Sequence, residues 1–322
     1  MATSRRPTKQ QAAALARVRA VRRRRRVLVS ILVLVVGAGA WFAITRAGSG
    51  AAAGGVALDS SAFAPGACVA FPPTVGDRHT TVFLDAGHGG LDPGAVGTTS
   101  AGAPVDEATG TLPVELDAAA LLRARGFRVV VSRTGDTTVV RLTPPELSGG
   151  VLSLQGAHDD VAARDQCANL AGASLLVGIY FDSGASPTDG GSVTTFDTAR
   201  PFSGADKRFA TLLQQDVIAA MNAQGWAIPD DGVQPDSVEG SLVPTSSDSP
   251  IATGAATYGH VMLLGPAKSG FFSTPSTMPG ALVEPLFVTD PFEGTRAASP
   301  SGQRVIATGI ATAVNRYLSP PG

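Results

Sequence analysis

Residues 82–97 read VFLDAGHGGLDPGAVG, and in this stretch His88 follows a short apolar β run and is flanked by Gly87, Gly89 and Gly90. Neighbours without side chains let an ion or a substrate come close to the imidazole, which makes His88 a candidate ligand. The plainer reading is a glycine-rich turn with a chance histidine. Far along the chain, Glu284 follows the apolar run Ala281–Val283. A carboxylate in such a strand is costly to bury unless a partner or a function requires it. Glu284 is therefore either a functional carboxylate or half of a structural ion pair with an arginine. Glu107, taken alone, is an acidic residue favoured by the dipole at a helix N-terminus. His79, His158 and His260 read as surface or internally satisfied histidines, with His260, beside a predicted strand, also open to a place near the site.

The elements that must position these groups alternate along the chain. Apolar β runs are expected at Thr80–Asp85, Phe127–Ser132, Ser174–Phe181, Ser192–Phe196, His260–Leu264 and Ala281–Val283. Between and after them, helical spacing predicts helices over Val114–Arg125, Val161–Ala171, Lys207–Asn222 and Gln303–Leu318. Residues 226–256, rich in Pro, Asp, Ser and Gly, carry no sustained periodicity and read as a surface excursion near the site. This order predicts an α/β fold: a single domain over residues 79–322, with a mostly parallel or mixed sheet covered by helices on both faces.

What precedes that domain is different in kind. Ten of the 25 basic residues fall within the first 26 positions, including the run Arg22 to Arg26, and no acid occurs before Asp59. Val27 to Ile44 follows as eighteen residues without a charge, with Trp41 and Phe42 near its end. That length and those flanks predict one transmembrane helix with residues 1–26 as a basic cytoplasmic tail and the rest outside. A cleaved signal peptide is the alternative, although its apolar core usually runs only about 7 to 15 residues. Residues 45–78, rich in Gly, Ala and Pro, read as a spacer. The remaining chain carries 15 basic against 26 acidic residues, which argues against nucleic acid as its partner. An exported chain also predicts that its two cysteines, Cys68 and Cys167, pair, the alternative being two separate buried thiols.

Read as a whole, the order of motifs resembles the zinc-dependent N-acetylmuramoyl-L-alanine amidases of the bacterial cell wall, the type-3 amidase family. The segment DAGHGGLDPGA resembles the family's opening motif with Ala86 for a proline. Glu107 stands at the place of the family's zinc-binding glutamate, ahead of Ala124-Arg125-Gly126 and the strand VVVSRTGD. Arg164 and Ala168-Asn169 match an Arg-containing helix, and Ala281-Leu282-Val283-Glu284 matches the strand with the catalytic glutamate. One position departs: where the family reads Ser-Ile-His-Ala-Asn, this chain reads Gly178-Ile179-Tyr180-Phe181-Asp182, so Tyr180 replaces the third ligand.

The resemblance implies Zn2+ held by His88 and Glu107, with Tyr180 or Asp182 left to complete the shell, and Glu284 as general base and then acid. The implied reaction is hydrolysis of the amide between muramic acid and L-alanine in peptidoglycan. A neutral phenol is a poor zinc ligand beside imidazole. The alternatives are therefore an impaired amidase-like protein that binds peptidoglycan or regulates a wall hydrolase, and a hydrolase of another amide.

Overall fold

A computed structural model describes residues 54–59, 61–238 and 250–319. The basic tail, the expected transmembrane helix and residues 45–53 lie outside the described residues, as do residues 239–249 of the expected excursion. Among the described residues no helix is long and apolar enough to cross a membrane.

The strands are β1 (Val56–Ala57), β2 (Ala67–Phe71), β3 (Thr81–Ala86), a hairpin of β4 (Val96–Thr98) and β5 (Pro104–Asp106), β6 (Arg128–Arg133), a hairpin of β7 (Leu147–Ser148) and β8 (Val151–Leu152), β9 (Leu175–Ile179), β10 (Ser192–Phe196), β11 (Asp230–Pro235) and β12 (Gly280–Glu284). The helices are α1 (Glu107–Arg123), α2 (Leu154–Leu170), α3 (Ser203–Asn222), α4 (Pro250–Ala256), α5 (Pro291–Ala297) and α6 (Pro300–Leu318). Eight strands form one sheet in the order β1-β2-β6-β3-β9-β12-β10-β11. The central run β6-β3-β9-β12 is parallel, and β10 pairs antiparallel with β12 while β11 lies parallel to β10. The sheet is thus mixed and mostly parallel, as the alternation of strands and helices requires.

Alternate residues of each central strand enter different cores. Val82, Leu84, Val177 and Ile179 join Leu122, Leu213 and Ile310 from α1, α3 and α6. Phe83, Val130 and Leu176 face the other way, onto Ala163 and Cys167 of α2 and onto Val261 and Leu263. Helices on both faces explain why the central strands are apolar at nearly every position.

Three expectations need correction, while the expected pairing of the two cysteines is borne out. The spacer read over residues 45–78 does not hold for its described part: β1 and β2 join the sheet, and Phe63, Ala64 and Cys68 are buried in the second core. The domain therefore begins well before residue 79. Cys68 and Cys167 form a disulfide, with Cα atoms 5.6 Å apart, that fastens β2 to α2. Within the expected excursion, Asp230–Pro235 is the edge strand β11 and Pro250–Ala256 is helical. The run His260–Leu264 is not a strand but a turn whose apolar side chains fill the core.

Helix α1 begins seven residues earlier than the apolar spacing suggested. Asp106 caps it, its Oδ1 accepting from the Thr109 amide at 2.8 Å, and the helix runs on through Pro113. Gly110 is needed there because a Cβ would lie 2.6 Å from the Phe181 ring.

Candidate active site

Three parallel strands end in step where the chemistry gathers. The Gly87 amide donates to the Ile179 carbonyl at 2.9 Å, and the Tyr180 amide donates to the Val283 carbonyl at 3.0 Å. Residues 88, 180 and 284 therefore leave the same edge of β3, β9 and β12. With strands about 4.8 Å apart, the backbones of the outer two lie roughly 10 Å from each other. The crevice beyond the carboxyl ends of parallel strands is where open α/β folds bind their ligands.

His88 is held on every side. Its φ of 61° lies in the left-handed region, a conformation sparsely used outside glycine, and it is followed by Gly89 and Gly90, also at positive φ. The ring Nδ1 lies 2.8 Å from Asp92 Oδ2, and Nε2 lies 3.0 Å from Glu107 Oε2. Burial alone would lower the imidazole pKa, but the hydrogen bonds and charges of Asp92 and Glu107 outweigh it and raise it to about 10. Glu107, the first residue of α1, is itself fixed: its Oε1 accepts from the Ala95 amide at 2.7 Å and its Oε2 from the Phe181 amide at 3.4 Å. Gly94 permits this closeness, since a Cβ there would meet the His88 ring at 2.6 Å and Glu107 Cβ at 2.9 Å.

Tyr180 does not join the pair. Its ring packs edge-on to His88 with centroids 5.4 Å apart, while its hydroxyl donates to Asp85 Oδ2 at 3.1 Å. Asp85 is fully buried and pairs through Oδ1 with Arg164 Nη1 at 2.7 Å, and Arg164 pairs in turn with Asp160 at 2.8 Å. Burial, and then the Asp85 charge, push the Tyr180 phenol well above its ordinary value, so it stays protonated. The hydroxyl expected to stand in for the third metal ligand is thus engaged by Asp85 in this structure.

Glu284, at the end of β12, is 8% exposed and lies opposite Val193 of β10. Asp182 extends the β9 line, its amide donating to the Leu286 carbonyl and its carbonyl accepting from the Val288 amide, both at 2.9 Å. A cavity of about 500 Å³ opens beside His88, with Asp92, Arg164 and Tyr180 on one side and Val151 and Leu152 of the β7–β8 hairpin on the other.

Several groups that hold the site were not singled out from the sequence. Asp85 and Asp92 lie inside the quoted motif, and the motif gave no reason to separate them from turn residues. Arg133, fully buried, donates to the carbonyls of Ala86, Gly87 and Ala108. Glu115, buried in α1, accepts from the Ala86 and Ser132 amides at 3.1 and 2.8 Å, and burial raises its carboxyl to about 8. The signal was there: charged residues at positions of α1 and β6 that the apolar pattern assigns to the interior.

His260 is elsewhere. Strand β10 runs against β12, so Asp197 beyond its end lies at the opposite edge of the sheet from Glu284, roughly 13 Å away along the strands. There His260 meets Asp197 and Asp236. Among the described residues this is the group of three whose ligand atoms all lie within 4.8 Å of one another.

An open, mixed α/β sheet with an imidazole, a contacting carboxylate and a second buried carboxylate at the ends of parallel strands defines a hydrolase-like centre. Residues 82–316 match the family model described as N-acetylmuramoyl-L-alanine amidase, and the chain belongs to that family of peptidoglycan amide hydrolases. It is 26% identical over 251 residues to N-acetylmuramoyl-L-alanine amidase AmiA of Salmonella typhimurium, covering 74% of this chain and 75% of the relative. Its fold is similar to that of amidase AmiC2 of Nostoc punctiforme, at 22% identity and a TM-score of 0.50 over 76% of this chain and 99% of that one. It is also similar to the CwlD amidase of Clostridioides difficile, at 19% identity and a TM-score of 0.54 over 74% and 98%.

The zinc implied by the resemblance can be tested against the donor set. Ligands at about 2.0–2.1 Å around a tetrahedral ion lie about 3.3 Å apart. His88 Nε2 and Glu107 Oε2, 3.0 Å apart, have nearly that spacing. With the Tyr180 hydroxyl on Asp85, His88 and Glu107 account for two of the three protein ligands that catalytic zinc sites usually have.

Proposed function

We propose that this chain acts on peptidoglycan at the amide joining muramic acid to L-alanine, with the substrate lying across the carboxyl ends of β3, β9 and β12. The observation that carries this reading is the His88–Glu107 contact at the same sheet edge as Glu284, in a chain of this family. Hydrolysis needs a carboxylate that takes a proton from the attacking water and returns it to the leaving amine, and Glu284 is assigned that role. His88 and Glu107 are assigned to holding a divalent cation, with Asp92 orienting the imidazole from its other nitrogen. The cavity beside His88, with its apolar β7–β8 wall, is assigned to part of the substrate.

The commitment of the Tyr180 hydroxyl to Asp85 favours a second reading, a wall-binding domain in which turnover is weak or lost. Both readings place the chain at the wall side of the membrane, held by residues 27–44 with the basic tail inside. The charge asymmetry of the N-terminus supports that placement, and so does the disulfide, a feature of exported chains.

The test uses the full-length chain in detergent with purified sacculi. Release of peptides beginning with L-alanine, reduced on the order of 100-fold or more in Glu284→Gln, is the expected result. Co-sedimentation with sacculi without release, by protein that carries no zinc, establishes the binding reading in its place.

A further inference from the structure

Asp197 and Asp236 follow directly on the neighbouring parallel strands β10 and β11, and the Asp236 amide donates to the Phe196 carbonyl at 2.9 Å. Their carboxylates therefore leave the sheet side by side, and the turn after α4 brings His260 onto them. His260 Nδ1 lies 2.9 Å from Asp197 Oδ2 and 3.3 Å from each oxygen of Asp236. We propose that Asp197, Asp236 and His260 form a binding site for a divalent cation, separate from the groups around His88 and at the opposite edge of the sheet.

Three observations carry the proposal. The donor atoms have the spacing of ligands around one ion, about 3.3 Å for a tetrahedral shell. One imidazole with two carboxylates is also a donor set that first-row divalent metals accept. The second is a buried carboxylate oxygen that the structure satisfies only by an ion-pair contact with the imidazole. Asp197 is 1% exposed, and its Oδ1 accepts from the Ala199 and Arg200 amides at 2.7 and 2.6 Å. Its Oδ2 lies 2.9 Å from His260 Nδ1, at ion-pair distance but without hydrogen-bond geometry. His260 Nδ1 also lies 3.3 Å from each oxygen of Asp236, so oxygens of both carboxylates stand within ion-pair distance of one ring nitrogen.

The third observation is the charge around that point. Asp236 is fully buried, and buried Asp206, which Gly280 binds through Oδ1, leaves its Oδ2 without a partner. Asp165, also fully buried, stands nearby on α2. Against four carboxyls there are Arg200, whose Nη1 donates to the carbonyls of Leu264 and Gly265, and His260 itself. Adjacent buried carboxylates cannot both stay ionised without a cation between them, the alternative being a shared proton. The His260 side chain is 20% exposed, so an ion can reach the site from solvent. Once bound, the ion would tie the edge strands to the turn that carries Val261 and Leu263 into the core.

The test uses the full-length chain in detergent carrying His88→Ala and Glu107→Ala, which removes the donors at the other edge. After equilibrium dialysis against zinc at pH 7.5, elemental analysis should find one zinc per chain. Adding His260→Gln, or Asp236→Asn, should weaken that binding at least tenfold, with far-UV circular dichroism confirming the fold. Absence of zinc from the His88→Ala/Glu107→Ala protein overturns the proposal and leaves a shared proton as the occupant. Undiminished binding after His260→Gln, at the partly exposed member of the set, overturns it equally.

Discussion

The Tyr180 hydroxyl donates to Asp85 Oδ2, and its ring stands edge-on to His88 without presenting an oxygen to it. A histidine at position 180 would be too short to keep that bond and would free the space beside His88 Nε2 and Glu107. Tyr180→His is therefore expected to raise zinc affinity by tenfold or more, read by competition with a chromophoric chelator. It should also raise any release of stem peptides in parallel. Tyr180→Phe, which removes only the hydroxyl, should cost about 1–2 kcal/mol of stability in urea unfolding, because Asp85 Oδ2 loses a donor in the interior. It should leave zinc affinity unchanged, since the hydroxyl is engaged by Asp85.

Protonation of His88 links pH to both stability and metal uptake. Its pKa in the folded chain is about 10 against an ordinary value of 6.5. A raised folded value stabilises fully below the unfolded value, and the contribution is lost as pH rises through the folded one. Without metal, the melting temperature should therefore fall as pH increases from about 6.5 to 10, and His88→Gln should flatten that slope. Metal runs the other way. A ligand must shed its proton to bind, so zinc affinity at this site should rise by on the order of tenfold per pH unit over the same range.

Reduction tests the tie between β2 and α2. The Cys68–Cys167 bond closes a separation of 99 residues, and a loop of that length is worth about 4.7 kcal/mol in the chain-entropy account. Dithiothreitol, or Cys68→Ser with Cys167→Ser, should lower the melting temperature by on the order of 10 °C. An unchanged melting temperature would show that β1 and β2 are held by the sheet alone.

What the sequence revealed depended on whether the signal was local. Short apolar runs marked β3, β6, β9, β10 and β12, which are buried on both faces, and helical spacing marked the long helices, each of which buries one. β11 was hidden because DDGVQP is an edge strand with one face open and a terminal proline, so it has no apolar alternation to display. The segment carrying β1 and β2 looked like a spacer because its Gly, Ala and Pro content masks Phe63, Cys68 and Phe71, three residues that enter the cores. His260–Leu264 was misread for the converse reason: its apolar run is buried by a turn. At the site, the motif order pointed to His88, Glu107 and Glu284. The direction of the Tyr180 hydroxyl was not legible, because it depends on Asp85 and Arg164, which lie 95 and 16 residues away in the chain.

Arg164 gives the most severe prediction. Its guanidinium is 1% exposed and pairs with Asp85 and Asp160, while its remaining donors reach the carbonyls of Ala86 and His88 at 2.7 and 2.8 Å. Arg164→Met would leave two carboxylates buried without their cation, a loss of roughly 3–5 kcal/mol. The same change releases the His88 carbonyl, part of the turn that keeps this residue at positive φ, so amide exchange at residues 87–90 should quicken beyond what global destabilisation explains. Asp85→Asn lowers the demand for the arginine. In a double-mutant cycle the pair should therefore couple by at least about 1 kcal/mol, as groups in direct contact do. Simple additivity would mean that Arg164 acts through Asp160 and the backbone, and that the hold on Tyr180 and His88 does not pass through Asp85.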